Sequence, residues 1–171
     1  YRAAGMVLRE FETREQLAAA IGPKTAMIAA LASTEKAAQK DHRIMKPHEF
    51  VELGKKTGVP VLIDVAAEIP PPETLTRFTT MGFDLVTLSG GKGLLGPQAT
   101  GILAGRKALI QAAVLNHSPY TGIGRGMKVG KEEMIGLMAA LERYLKADHD
   151  GEMKELESRV NDIRDGLSGI A

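Results

Sequence analysis

Lys92 stands inside Ser89-Gly90-Gly91-Lys92-Gly93, directly after the apolar run Leu85-Val86-Thr87-Leu88. The run reads as a buried strand that stops at a turn-forming cluster. Glycines at 90, 91 and 93 allow close approach of backbone to a ligand, so the loop can present one amine at the carboxyl end of a strand. Open α/β sheets bind their ligands there. A lysine held among apolar neighbours at such a place is kept partly neutral by desolvation and can attack a carbonyl. Pattern alone leaves two plainer uses open, a solvated lysine and a phosphate contact. Asp64 lies 28 residues earlier, near the end of the apolar run Val59 to Val65. One helix separates the two runs, and a right-handed crossover puts their ends side by side on one edge of the sheet. By spacing, Asp64 is either a carboxylate that stays ionised in a cleft or a cap or partner for a nearby lysine.

Other chemistries fail on residue type. A phosphate-cradling nucleotide loop needs glycine where Val86 stands and Ser or Thr where Gly93 stands. Gly122-Ile123-Gly124-Arg125-Gly126 lacks the third glycine of a dinucleotide fingerprint, since Met127 occupies it, and no strand directly precedes it. Histidines at 42, 48, 117 and 149 have no paired ligand spacing, so no metal site is expected. The methionines are expected mostly in the core.

The elements that must position Asp64 and Lys92 follow from periodicity. Met6 to Phe11 reads as a short strand, and Thr13 with Gln16 forms a capping box before a helix carrying Leu17 to Ile21. Ala26 to Ser33 is a strand of sheet length, residues 34 to 46 are polar and irregular, and Pro47 opens a helix to Thr57 closed by Gly58. Val59 to Val65, apolar apart from Asp64, has the composition of a parallel strand buried on both faces. Pro70-Pro71-Pro72 starts a helix with Leu75, Phe78 and Met81, ended by Gly82. After the lysine loop come a returning strand over Thr100 to Ala104 and a helix over Lys107 to Leu115. Asn116 to Gly130 is a loop holding His117, Tyr120, Arg125 and Lys128. A helix over Lys131 to Ala147 follows, and another begins near Asp150 with an apolar stripe Met153, Leu156, Val160, Ile163 and Leu167. The fold class is α/β with a mostly parallel sheet in a three-layer sandwich, and the one plausible boundary lies at Ala147 to Gly151.

Composition bounds the partners. Lys+Arg of 22 against Asp+Glu of 21 leaves a net charge of +1, with no basic run to attract nucleic acid. No stretch is long and apolar enough for a membrane span. The absence of cysteine removes thiol chemistry and fits a reducing, cytoplasmic compartment. The chain opens on Tyr1 without an initiator methionine, which suggests part of a longer protein.

Three stretches in order resemble fold-type I pyridoxal-phosphate enzymes of the group related to selenocysteine synthase and D-glucosaminate-6-phosphate ammonia-lyase. They are Val61-Leu62-Ile63-Asp64-Val65-Ala66-Ala67-Glu68, Ser89 to Gly93 with Gly96-Pro97-Gln98, and Ile123 to Glu133. The resemblance implies an aminotransferase-like fold. Residues 1–147 would be the second half of the large cofactor domain and residues 148–171 the start of the small one. It further implies that Lys92 forms an imine with pyridoxal 5'-phosphate, that Asp64 pairs with the protonated pyridine nitrogen, that Ser89 helps hold the phosphate and that Ala66 lets the ring lie flat. Arg125 and Lys128 would meet an anionic substrate or the cofactor phosphate. Gly126 stands where these relatives are expected to carry proline. The implied reaction removes the α-proton of an anionic amino acid, expels its β-hydroxyl and yields a 2-keto acid and ammonia, in a homodimer or higher homo-oligomer. Two alternatives are a selenocysteine-synthase-like transferase and a truncated, non-catalytic piece whose apolar stripe at 153–167 drives association.

Overall fold

The computed structural model describes residues 2–170. Helix α1 (Arg14–Ala20) starts at Thr13, whose hydroxyl accepts the Gln16 N–H while the Gln16 side chain accepts the Thr13 N–H, the reciprocal cap expected from sequence. Strand β1 (Ile28–Leu31) is followed by a 3-10 turn and by α2 (Glu35–Lys40). Helix α3 (Pro47–Thr57) opens on its proline and closes on Gly58 at φ 71°. Strand β2 (Val61–Asp64) leads to α4 (Thr74–Met81), which ends at Gly82 with φ 106°. Strand β3 (Leu85–Ser89) and β4 (Gly101–Gly105) flank the lysine loop. Helices α5 (Lys107–Leu115), α6 (Lys131–Lys146) and α7 (His149–Leu167) complete the chain.

The sheet order is β1-β2-β3-β4. The first three strands are parallel and β4 returns antiparallel to β3, pairing Ser89 with Gly101 and Leu85 with Gly105. Val61, Ile63 and Val86 are at most 1% exposed and join Ile28, Ala30, Val51, Phe78 and Phe83 in one core. Phe78 and Phe83 meet edge to face at 5.9 Å. Helix α3 approaches closely because Gly54 leaves no side chain between its backbone and the Val61 methyl.

Several expectations need correction. Met6 to Phe11 forms no strand; Val7 is 84% exposed, and no described strand pairs with the segment. Residues 34 to 46 are not wholly irregular, because Glu-Lys-Ala-Ala-Gln-Lys are good helix formers and Ala38 buries itself, giving α2. The three prolines precede α4 rather than start it: Thr74 and Leu75 donate to the carbonyls of Pro71 and Pro72. Strand β2 is fully covered on one face only, since Leu62 and Asp64 alternate as half-buried between Val61, Ile63 and Val65. Among the methionines, Met45 is buried, whereas Met6, Met127, Met134, Met138 and Met153 are exposed. Met134 and Met138 lie on α6, which has apolar residues on more than one face, and Met6 and Met127 lie outside the α-helices, so spacing alone did not separate core from surface. The α7 stripe Met153, Leu156, Val160, Ile163 and Leu167 is exposed throughout.

Candidate active site

Asp64 is the last residue of β2 and pairs in register with Thr87 of β3. Alternation along a strand places Thr87 and Ser89 on the same face of the sheet as Asp64. Asp64 is half-buried, and its Oδ1 accepts the Ala66 N–H at 2.9 Å, so the turn after β2 holds the carboxylate in place. Among the described residues its Oδ2 takes no hydrogen bond. Ala66 sits two residues beyond, half-buried and with no bulk to obstruct a planar ligand.

Ser89 ends β3, and the loop carrying Lys92 starts at the next residue. Glycine is required here by close packing. A Cβ at Gly91 would lie 2.5 Å from Gln98 Cα, and one at Gly93 would overlap the Ile69 carbonyl. Gly90 donates its N–H to the Thr100 carbonyl at 3.0 Å and accepts from Gly96 at 2.8 Å, while the Lys92 carbonyl accepts from Leu95 at 2.8 Å. Leu95 adopts φ 56° to close this turn. Lys92 itself is exposed, not set among apolar side chains as the sequence suggested. The parallel pairing of β2 and β3 thus brings Asp64, Ala66, Ser89 and the Lys92 loop to one end of the sheet.

Arg125 and Lys128 reach the same end through the α5–α6 connection. Lys128 lines a cavity of ≈ 370 Å³ together with Thr100, Gly101, His117, Ser118 and Met134. Gly101 is the register partner of Ser89, so the cavity adjoins the strand end. The exposed Arg125 donates from Nη1 to the Ser118 hydroxyl at 3.0 Å. His117 Nε2 lies 3.0 Å from the Met127 carbonyl and ties the two halves of the loop together. Ser118 and Thr100 are cavity residues the sequence did not single out; Thr100 announces itself only as the residue opening the return strand. Of the site residues expected from sequence only Lys128 lines the cavity; Arg125 meets it through Ser118, and Asp64, Ser89 and Lys92 lie outside its lining at the neighbouring strand ends.

The L-seryl-tRNA selenium transferase (SelA) family model matches residues 2–158. The chain belongs to the SelA family. D-glucosaminate-6-phosphate ammonia lyase of Salmonella typhimurium is 34% identical over 158 residues, covering 92% of this chain and 39% of the relative. A 5'-C-glycyluridine monooxygenase-decarboxylase from a Streptomyces species is also 34% identical, covering 92% of this chain and 37% of its own length. L-seryl-tRNA(Sec) selenium transferase of Moorella thermoacetica is 36% identical over 138 residues, covering 75% and 28%. The chain therefore spans less than two-fifths of the length of these relatives. A solved structure of D-glucosaminate-6-phosphate ammonia-lyase superposes with a TM-score of 0.65 at 34% identity, over 80% of this chain and 34% of that one. The fold is the aminotransferase-like α/β fold with a mostly parallel sheet. No helix among the described residues is long and apolar enough to cross a membrane.

Proposed function

We propose that this chain carries the lysine-bearing part of a pyridoxal-phosphate lyase that eliminates across the α and β carbons of an anionic amino acid such as D-glucosaminate 6-phosphate, giving a 2-keto acid and ammonia. The observation that carries the reading is the placement of Asp64 and the Lys92 loop on neighbouring parallel strand ends. The residues fit the cofactor: a primary amine for its aldehyde, a carboxylate with one oxygen uncommitted among the described residues for its ring nitrogen, and a small Ala66 beneath a flat ring. Ser89 supplies a hydroxyl for the phosphate at the same strand end. When bound, pyridoxal phosphate supplies an electron sink for the pair left at the substrate α-carbon.

The chain's own residues do the rest. Asp64, braced by the Ala66 N–H, would pair with the ring nitrogen of the cofactor. Lys92 Nζ takes the α-proton and returns a proton to the departing β-hydroxyl, which leaves as water; hydrolysis of the enamine left behind takes up one water and releases the 2-keto acid and ammonia. Arg125 and Lys128 hold the anionic end of the substrate by charge-assisted hydrogen bonds near the cavity they approach. The working unit is a homodimer or higher homo-oligomer in the cytoplasm, a reading supported by the exposed apolar side chains Ile135 and Met138 on α6.

A second reading, a selenium transferase, draws support from the family match itself. The net charge of +1 of this chain adds no electrostatic support for a tRNA partner. To test the first reading, the purified chain is incubated with pyridoxal 5'-phosphate, reduced with borohydride and peptide-mapped. Label is expected on Lys92 and lost in Lys92→Ala. Label spread evenly over the other lysines, or none at all, sinks the assignment.

A further inference from the structure

The three peptide carbonyls around the lysine are all engaged. Gly90 O accepts from the Gly96 backbone and Lys92 O from the Leu95 backbone, each at 2.8 Å. The one between them, Gly91 O, accepts instead from Gln98 Nε2 at 2.8 Å. Among the described residues this is the one side-chain hydrogen bond in the set, reaching back seven residues across the loop. The same glutamine crowds Gly91 so closely that a Cβ there would lie 2.5 Å from its Cα and 2.7 Å from its Oε1. Two residues on, Gly93 rests against the Ile69 carbonyl, in the segment that follows Asp64 and Ala66. The two glycines that flank Lys92 are thus packed against Gln98 and Ile69.

We propose that Gln98 is a positioning residue for Lys92: its amide clamps the Gly91 carbonyl and so fixes the peptide from which the amine projects. The proposal rests on the reading of Lys92 as the reactive amine. Gln98 is exposed, and folding an exposed, rotamer-rich side chain back onto the protein costs entropy that one solvent-facing hydrogen bond only roughly offsets. Its contribution to global stability is therefore small, and its effect is local. Leu95, held at φ 56°, is the second sign of a constrained loop. A non-glycine residue stays in that region only where its surroundings fix it, and the turn it closes begins at Lys92. Gln98 restrains the one carbonyl that this turn leaves out.

The test uses two variants of the full chain. Gln98→Met keeps the length and removes the amide, and Gln98→Glu keeps the shape and removes the donor. Both are expected to melt close to the wild type, while hydrogen exchange of the Leu95 and Gly96 amides speeds up about two- to tenfold, the range one intramolecular hydrogen bond contributes. Borohydride-fixed pyridoxal phosphate at Lys92, measured relative to the surface residue Lys107, falls by a similar factor. A merely structural role would lower the melting temperature and leave the Lys92 to Lys107 ratio unchanged. Unchanged exchange in both variants overturns the clamp. Faster exchange with an unchanged labelling ratio overturns its bearing on the lysine. A wild-type chain that takes no label on Lys92 defeats the reading of the lysine instead, and the exchange data then decide the clamp alone.

Discussion

Replacing Gly93 by alanine probes the packing beside the lysine most directly. The added methyl would overlap the Ile69 carbonyl oxygen and lie 2.7 Å from its carbon. That is about 0.8 Å inside the ~3.5 Å separation at which carbon atoms attract. Both partners are backbone and Ile69 is 8% exposed, so no flexible side chain can swing away. The loop or the segment after β2 has to move, and overpacking of this kind costs about 1–3 kcal/mol. At about 2–4 °C per kcal/mol for a chain of this size, a middle value of ~2 kcal/mol lowers the melting temperature by about 4–8 °C. The assay is a reversible thermal melt followed by far-UV circular dichroism, with Gly126→Ala as the matched control. A Cβ at Gly126 meets open space, so that variant melts with the wild type or slightly above it. If Gly93→Ala melts with the wild type, or if both variants fall alike, the packing argument is wrong.

Two further outcomes rest on features away from the loop. The Tyr144 hydroxyl is buried without a hydrogen-bond partner among the described residues, so Tyr144→Phe should raise stability by about 1 kcal/mol in urea denaturation. Burial, with lesser effects of Glu73 and Glu152, pushes the Tyr144 pKa above its ordinary 10.0. The folded state then holds this proton more tightly than the unfolded one, stability declines as pH climbs past 10, and the phenylalanine variant shows a shallower alkaline decline. Asp84 accepts the Val61 N–H at 2.8 Å through Oδ2 and the Arg106 guanidinium at 2.9 Å through Oδ1. Because Val61 is 1% exposed, Asp84→Ala strands a buried N–H and should cost about 1–3 kcal/mol, while Asp84→Asn, which retains an acceptor, costs less by the same denaturation midpoint.

Local chemistry made much of this legible in the sequence. Pro47 and Gly58 bracket α3, Thr13 and Gln16 cap α1, and the spacing of Asp64 and Lys92 puts them on adjacent strand ends. Long-range packing was not legible. Nothing in Met6 to Phe11 reveals that no described strand will pair with it, and nothing in Met134 or Met138 says which side of α6 meets the core. The exposure of Lys92 was missed because an apolar strand before a loop does not say whether side chains from elsewhere in the chain cover the loop. Gln98 stood out in the sequence only as part of the Gly96-Pro97-Gln98 motif and its contact with the lysine loop did not, because a hydrogen bond spanning seven residues across a loop has no periodic signature.

The antiparallel return of β4 also bears on the order in which the site is assembled. Ser89 and Gly101 pair across a single short connection, whereas Asp64 reaches Thr87 only after the chain has crossed over through α4. Closing the shorter loop loses less chain entropy, so contacts around the lysine can form as a local hairpin unit while the parallel pairing lags. The amine is thereby placed by neighbours in sequence and the carboxylate by neighbours in space. Changes within β3 to β4 would act on the first stage of folding, and changes in β2 or α4 on the step that completes the pair.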